Sequence, residues 1–180
     1  MKTQIVEEKE IETDKKYKIV YADPPWKYDD KLDLQNEGAE NHYPTMRLED
    51  IKRFPIKDIS DKDCILFLWV TMPMLKEGLE VIDAWGFKYK TCAFTWVKTN
   101  PKSNTIFKGI GRWVMGNAEL CLLATKGKPK RIVKNISQIV MAKRNKHSRK
   151  PEEVRRRIVK LMGDISRIEL FARERFEGWD

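Results

Sequence analysis

The sequence predicts an α/β protein with a doubly wound, mostly parallel sheet and helices on both faces. Two observations carry this expectation. The stretch CILFLWV, residues 64–70, is apolar at every position; a strand with one wet face would alternate, so this one is covered on both. Strand-length apolar runs also alternate with stretches of helical periodicity, the order from which parallel sheets are built. A length of 180 residues fits one domain.

The elements follow in chain order. Residues 1–16 are polar apart from Ile5, Val6 and Ile11, and read as a charged arm with a short strand at Gln4 to Val6. The first main strand is Lys18 to Ala22. A loop from Lys27 to His42 carries five acids against two lysines and no apolar period; loops of that length are functional or disordered. After CILFLWV comes PMLKEGLEVIDAWG, a helix opened by Pro73 and stopped by Gly86. Leu75, Leu79, Ile82 and Trp85 are expected to form its buried face. CAFTWV (92–97) and ELCLLA (119–124) are strands. A second long loop, rich in Gly, Asn and Lys, lies between them, and QIVM (138–141) is a short strand. PEEVRRRIVKLMG (151–163) is a helix, with acids in its first turn and glycine at its end. RIELFA (167–172) is the last strand. Trp69, Trp85 and Trp96 fall inside elements and are assigned to the core.

Composition narrows the function classes. Lys and Arg number 36 against 27 acids, a net charge of +9, which suits either a polyanion partner or a well-solvated surface. From Lys126 to Lys160 there are fourteen basic residues and two acids, a candidate phosphate-contacting face. Within it RRR (155–157) lies on a helix, so only part of it can face one side. Cys64, Cys92 and Cys121 sit in apolar runs without C-x-x-C spacing, and read as buried thiols of a reducing compartment. With only His42 and His147 and no ligand spacing, a metal site is not expected. The longest apolar run has strand length, so a soluble, cytoplasmic protein without membrane contact is expected.

One stretch raises a chemical question. KIVYADPPWKY takes a buried strand directly into Asp23-Pro24-Pro25-Trp26. In open α/β sheets ligands bind outside the carboxyl ends of strands. There Asp23 offers acceptor oxygens, and the prolines fix φ and lack N–H donors, so the turn is stiff. Trp26 supplies a large flat ring. Together they make a cup for a planar base with an exocyclic amino group: Asp23 and the Pro24 carbonyl would accept its two hydrogens while an aromatic ring holds its face. The plainer alternative is a tight turn with a core tryptophan.

Asp23-Pro24-Pro25-Trp26 is also the signature of amino-directed, adenosylmethionine-dependent DNA and RNA methyltransferases. ADPPW is followed in order by HYPTM (42–46), LFLWVT (66–71), WVKTN (96–100), GNAELCLLATKG (116–127), HSRKP (147–151) and IELFAR (168–173). The set resembles the family typified by the catalytic subunit of the eukaryotic mRNA adenine-N6 methyltransferase and its bacterial and phage relatives, over roughly residues 17–179. The resemblance implies a Rossmann-like, seven-stranded methyltransferase sheet over 17–180 with a permuted motif order. It implies S-adenosyl-L-methionine as cofactor and direct transfer to adenine N6. GIGRW (109–113), which follows no evident strand, reads as a substrate-side loop rather than a dinucleotide fingerprint.

Roles carry over residue by residue. Asp23, Pro24, Pro25 and Trp26 form the catalytic turn, with Asp23 also approaching the cofactor's amino-acid end. Lys150 resembles a lysine at the cofactor carboxylate or reaction centre, and His147 and Ser148 accompany it, Ser148 being equally suited to cap the helix. Arg173 resembles the arginine that bonds the cofactor ribose. Tyr43, Lys98, Asn100, Asn117 and Glu119 are expected on the target side, though Tyr43 reads equally as a packed loop tyrosine and Glu119 as an exposed acid opening a strand. Relatives continue past the Trp179 position into a Gly-Asn segment that contacts the adenosine. This sequence stops at Asp180, so that contact is expected from elsewhere, the N-terminal arm being one candidate, or cofactor binding is weaker. The expected function is N6-adenine methylation of DNA at a flipped adenine. RNA methylation, or a non-catalytic nucleic-acid-binding partner subunit, is the alternative. A homodimer is expected by analogy.

Overall fold

The structure, a computed structural model, describes residues 13–28, 45–111, 113–144, 149–172 and 174–180. The strand expected at Gln4 to Val6 and most of the loop to His42 lie outside these residues. The described residues contain one sheet of six strands: β1 (Tyr17–Ala22), β2 (Ser60–Val70), β3 (Lys88–Thr99), β4 (Ala118–Lys126), β5 (Ile139–Lys143) and β6 (Arg167–Leu170). Their order across the sheet is β5-β3-β4-β2-β1-β6. β1 runs parallel to β2 and β6, and β3 parallel to β5. β4 is antiparallel to both neighbours, so five strands point one way and β4 the other.

The reading of CILFLWV holds. Cys64, Leu66, Leu68 and Val70 enter one hydrophobic cluster, and Ile65, Phe67 and Trp69 enter another on the opposite face. The first cluster is covered by α1 (Leu48–Arg53), α2 (Ile56–Ile59) and α3 (Leu75–Ala84). The second is covered by α4 (Glu152–Met162) through Val154, Ile158 and Met162. Helices therefore lie on both faces, and Trp69, Trp85 and Trp96 are fully buried.

Three elements differ from expectation. The short helices α1 and α2 are additions; only Ile51, Ile56 and Ile59 are buried in them, too few for a visible period. β3 extends beyond CAFTWV because Lys88, Tyr89 and Thr91, though exposed, still pair with β4. In α3 the buried line is Gly78, Val81, Ile82 and Trp85, while Leu75 is 37% exposed. Gly78 sets this rotation: a Cβ there would lie 2.4 Å from Val70 Cγ1, so the helix approaches the sheet along its glycine. We expect Gly78→Ala to destabilise the fold by about 1–3 kcal/mol through overpacking, more than the helix-propensity gain of up to about 1 kcal/mol; urea denaturation measures it. Gly86 and Gly163 do end α3 and α4, with φ of 80° and 89°.

Candidate active site

The sheet decides where the chemistry sits. Five strands end on one edge, and antiparallel β4 begins there. Asp23 follows β1, Lys98 closes β3, Glu119 opens β4 and Lys150 precedes α4. These four residues, spread over the chain, form one row of alternating charge. Lys150 Nζ lies 2.8 Å from Asp23 Oδ2 and 3.2 Å from Glu119 Oε2. Lys98 Nζ lies 2.5 Å from Glu119 Oε1. The two ammonium groups rest over indole rings, Lys150 over Trp69 and Lys98 over Trp96.

Lys150 and Glu119 are both buried, which makes their ionisation a matter of partners. Burial works against the Lys150 ammonium, but the carboxylates of Asp23 and Glu119 outweigh it and hold its pKa above the ordinary lysine value. Burial likewise works against the Glu119 carboxylate, and Lys150 and Lys98 outweigh it, lowering its pKa. Glu119 is therefore no exposed strand-opening acid; it joins the two lysines.

The Asp-Pro-Pro-Trp turn is stiff, with most of its groups engaged. Trp26 N–H donates to the Pro24 carbonyl at 2.9 Å, and Met46 N–H to the Pro25 carbonyl at 2.8 Å. The prolines' carbonyls are thus not simply free to face outward: Pro24 keeps one lone pair for a ligand, and Pro25 holds Met46. Trp26 is buried, and its Nε1–H donates to the Trp69 carbonyl at 3.1 Å. Its ring anchors the turn to β2 more than it offers a stacking face. Beside it the Tyr28 hydroxyl bonds that of Thr71 at 2.8 Å.

These groups open onto a cavity of about 1330 Å³, lined among others by Asp23, Trp26, Lys98, Glu119 and Lys150, with Arg155, Glu169, Phe171 and Phe176 on the far wall. The far wall holds what the sequence did not reveal. Arg155 grips Glu169 with two hydrogen bonds, Nε to Oε2 at 2.6 Å and Nη2 to Oε1, and lies 3.6 Å from the Phe176 ring centre. Its Nη1 is buried without a partner. Phe171, just after β6, has φ of 62°, a left-handed conformation that costs a bulky residue roughly 1–2 kcal/mol. The one available signal was Glu169, an acid inside an apolar strand. RRR divides as the helix requires: Arg155 turns inward, Arg156 outward, and Arg157 bonds the carbonyls of Ser137 and Ile139 at 2.7 Å each.

Other expected residues are placed differently. Asn100 caps a turn, its Nδ2 donating to Thr105 Oγ1 at 2.9 Å, and the Asn117 carbonyl accepts Lys98 N–H at 2.9 Å; neither lines the cavity. Tyr43, His147, Ser148 and Arg173 lie outside the described residues. Cys64 and Cys121 are buried and Cys92 half-buried. Burial pushes the Cys64 thiol up to about 12, far from a reactive thiolate. Among the described residues no group of His, Cys, Asp and Glu could hold a metal.

The cavity fits a nucleoside with a charged amino-acid tail. Asp23 and Lys150 can take a zwitterion, Glu169 can accept hydroxyls, and the phenylalanine rings can face a base. The orphaned Nη1 of Arg155 is a donor still needing an oxygen or ring-nitrogen acceptor.

Comparison with known proteins agrees with this geometry. The MT-A70 family model matches residues 17–180. The Type II methyltransferase M.MunI of Mycoplasma sp is 37% identical over 92% of this chain and 76% of its own length. The human N(6)-adenosine-methyltransferase catalytic subunit METTL3 is 32% identical over 88% of this chain, but that match spans 26% of its length. The Arabidopsis thaliana N(6)-adenosine-methyltransferase MT-A70-like is 32% identical over 86% of this chain and 21% of its own length.

Proposed function

The chain belongs to the MT-A70 family, and on that premise we propose that this cavity is where an adenine meets its methyl donor. The protein is an S-adenosylmethionine-dependent N6-adenine methyltransferase. The observation that carries the site assignment is the Asp23–Lys150 pair at the end of β1, on the cavity wall. Bound there, the cofactor supplies an electrophilic methyl group. The remaining work falls to the chain. Adenine N6 is a weak nucleophile because its lone pair is delocalised into the ring. A hydrogen bond from N6 to Asp23, with a second to the remaining lone pair of Pro24, favours a pyramidal nitrogen and frees that lone pair. Lys150 holds the Asp23 carboxylate in direction. With the donor's methyl–sulfur bond giving way as the C–N bond forms and a neutral thioether departing, the proton released from N6 would pass to the Asp23 carboxylate and then to solvent. Positioning and a preset charge row supply the rate, with no covalent enzyme intermediate. Glu169, held by Arg155, and Arg173 serve the cofactor's ribose side. Lys98 and Glu119 serve the target side, with Tyr43.

The favoured substrate is DNA. The relative matched along most of its own length is a Type II methyltransferase, and the N(6)-adenosine-methyltransferases match over about a quarter of theirs. We read residues 17–180 as one methyltransferase domain with a permuted motif order, the catalytic turn first and the ribose wall last. A seven-stranded sheet is part of this reading, one strand more than the six formed by the described residues. A homodimer acting in the cytoplasm of a bacterium or an infected host completes the reading. The test is transfer of labelled methyl to duplex DNA, single-stranded DNA and RNA in parallel, with nucleoside analysis. N6-methyladenine in DNA is the expected result. Label confined to RNA moves the substrate to the alternative, and no label with no cofactor binding overturns the assignment in favour of a partner subunit.

A further inference from the structure

Arg155 and Glu169 are joined on the cavity wall in an arrangement that stability alone does not favour. Arg155 belongs to α4, and Glu169 to β6, where it pairs with Tyr21 of β1. Only 9% and 6% of their side chains are exposed. Well-packed apolar residues in place of such a buried ion pair are often as stable or more so. The Arg155 Nη1 adds to the cost, being buried with no partner among the described residues. Two residues past Glu169, Phe171 holds its left-handed φ of 62°, and backbone strain of that kind collects at functional sites.

What the arrangement achieves is a fixed direction. Hydrogen bonds from Nε and Nη2 fix the guanidinium against the Glu169 carboxylate. The Phe176 ring, its centre 3.6 Å away, fixes the guanidinium from the side. Phe176 is itself held near Arg149, whose guanidinium lies 5.3 Å from the ring centre and pairs with Glu174 at 3.2 Å. Each carboxylate oxygen has two lone pairs. Arg155 takes one on each oxygen and leaves one on each for the cavity that Glu169 lines. Two acceptors side by side match a pair of neighbouring hydroxyls.

Arg155 also bears on the charge of that carboxylate. Burial raises the Glu169 pKa from its ordinary 4.5, and Asp23 after β1 adds to the rise, while Arg155 and Arg149 oppose it. Tyr21, across from Glu169 on β1, is a buried phenol whose own pKa burial raises well above the ordinary value, so it brings no charge. With Arg155 gone, Arg149 alone would oppose burial and Asp23. A carboxylate accepts hydroxyl hydrogens roughly twice as strongly as a neutral acceptor does.

We propose that Arg155 is a positioning residue for the cofactor: it holds Glu169 as an aimed carboxylate whose remaining lone pairs accept the two ribose hydroxyls. The inference rests on the methyltransferase reading above. It adds a residue that none of the sequence motifs behind that reading contains, and it assigns Arg155 a part in preferring ligands that carry the ribose diol.

The experiment is calorimetric titration of S-adenosylhomocysteine, and of its analogue lacking both ribose hydroxyls, into wild type, Arg155→Met, Arg155→Lys and Glu169→Gln. Circular dichroism checks the fold of each. Wild type is expected to prefer the full ligand by at least about tenfold, the scale of hydrogen bonds to a charged group. In Arg155→Met and Glu169→Gln the preference should fall most of the way to parity. Arg155→Lys keeps the charge without the two-pronged grip and should lie between. A folded Arg155→Met with the wild-type preference, both ligands weakened equally or not at all, overturns the proposal and leaves Arg155 a packing residue. If Arg155→Met does not fold, Arg155→Lys decides, and an undiminished preference there overturns it. Wild type binding both ligands alike overturns it without any variant. Wild type binding neither ligand means that the cofactor site itself has been misassigned, and the positioning role goes with it.

Discussion

Asp23→Ala is expected to lower methyl transfer by at least about 10²–10³-fold, the usual cost of losing one preorganised polar contact to the reacting group. The fold should survive, because Lys150 keeps Glu119 at 3.2 Å and the turn is still pinned by the Trp26 and Met46 hydrogen bonds. On the proposed mechanism the loss appears in kcat, because Asp23 would act on the nitrogen that reacts. Asp23→Asn should be nearly as poor. It keeps an acceptor oxygen but removes the charge that Lys150 opposes and the base that takes the proton. A variant retaining more than a tenth of wild-type turnover would place the chemistry elsewhere in the cavity.

Lys150→Met should cost stability as well as activity. The substitution keeps length and apolar stem, yet it leaves Asp23 and Glu119 facing the position of a missing cation. Breaking a buried ion pair from one side typically costs about 3–5 kcal/mol, and urea denaturation would read that loss. The pH dependence supplies a second measure. In the wild type the Glu119 pKa is lowered from 4.5, so its stabilising contribution is complete above that value and disappears as pH falls through the folded-state pKa. The Lys150 pKa is raised from 10.5, so its contribution is complete below that value and disappears as pH rises through the folded-state pKa. Glu119 and Lys150 are thus both charged across the neutral range. In Lys150→Met the acidic shoulder of the stability curve should move toward neutral pH, because Glu119 keeps only Lys98. An unmoved shoulder would mean that Lys150 contributes little to the ionisation of its neighbours.

What could be read from the sequence followed physical locality. CILFLWV declared a strand buried on both faces because every one of its side chains had to be apolar. Asp23 could be found because a strand, two prolines and an aromatic ring stand together. Lys150 was legible through HSRKP, and its helix through Pro151, the two glutamates and Gly163. The Arg155–Glu169 pair was hidden because one partner sits in a run of three arginines, and sequence spacing does not tell which of them turns inward. Asn100 has the composition of a substrate contact, but a neighbouring turn claims its amide. The buried face of α3 was misread at Leu75 because a period finds apolar side chains, while the closest helix–sheet approach is made by Gly78, which has none. The helices α1 and α2 bury one and two isoleucines, below what any periodicity can reveal.

The charge row also has a consequence for how the protein is made. Among the described residues β1 comes first in sequence, yet it lies between β2 and β6, and β6 comes last. Asp23 meets its cation only when the segment carrying Lys150 has left the ribosome. Until then the nascent chain has an unfilled slot beside its first strand and a catalytic turn without its counter-ion. Pairings of such long sequence separation form late. The Asp23–Lys150 pair therefore forms only after the segment ahead of α4 has been made. A chain truncated before β6 keeps the Asp23-Pro24-Pro25-Trp26 motif but lacks Glu169 and the strand that pairs with β1.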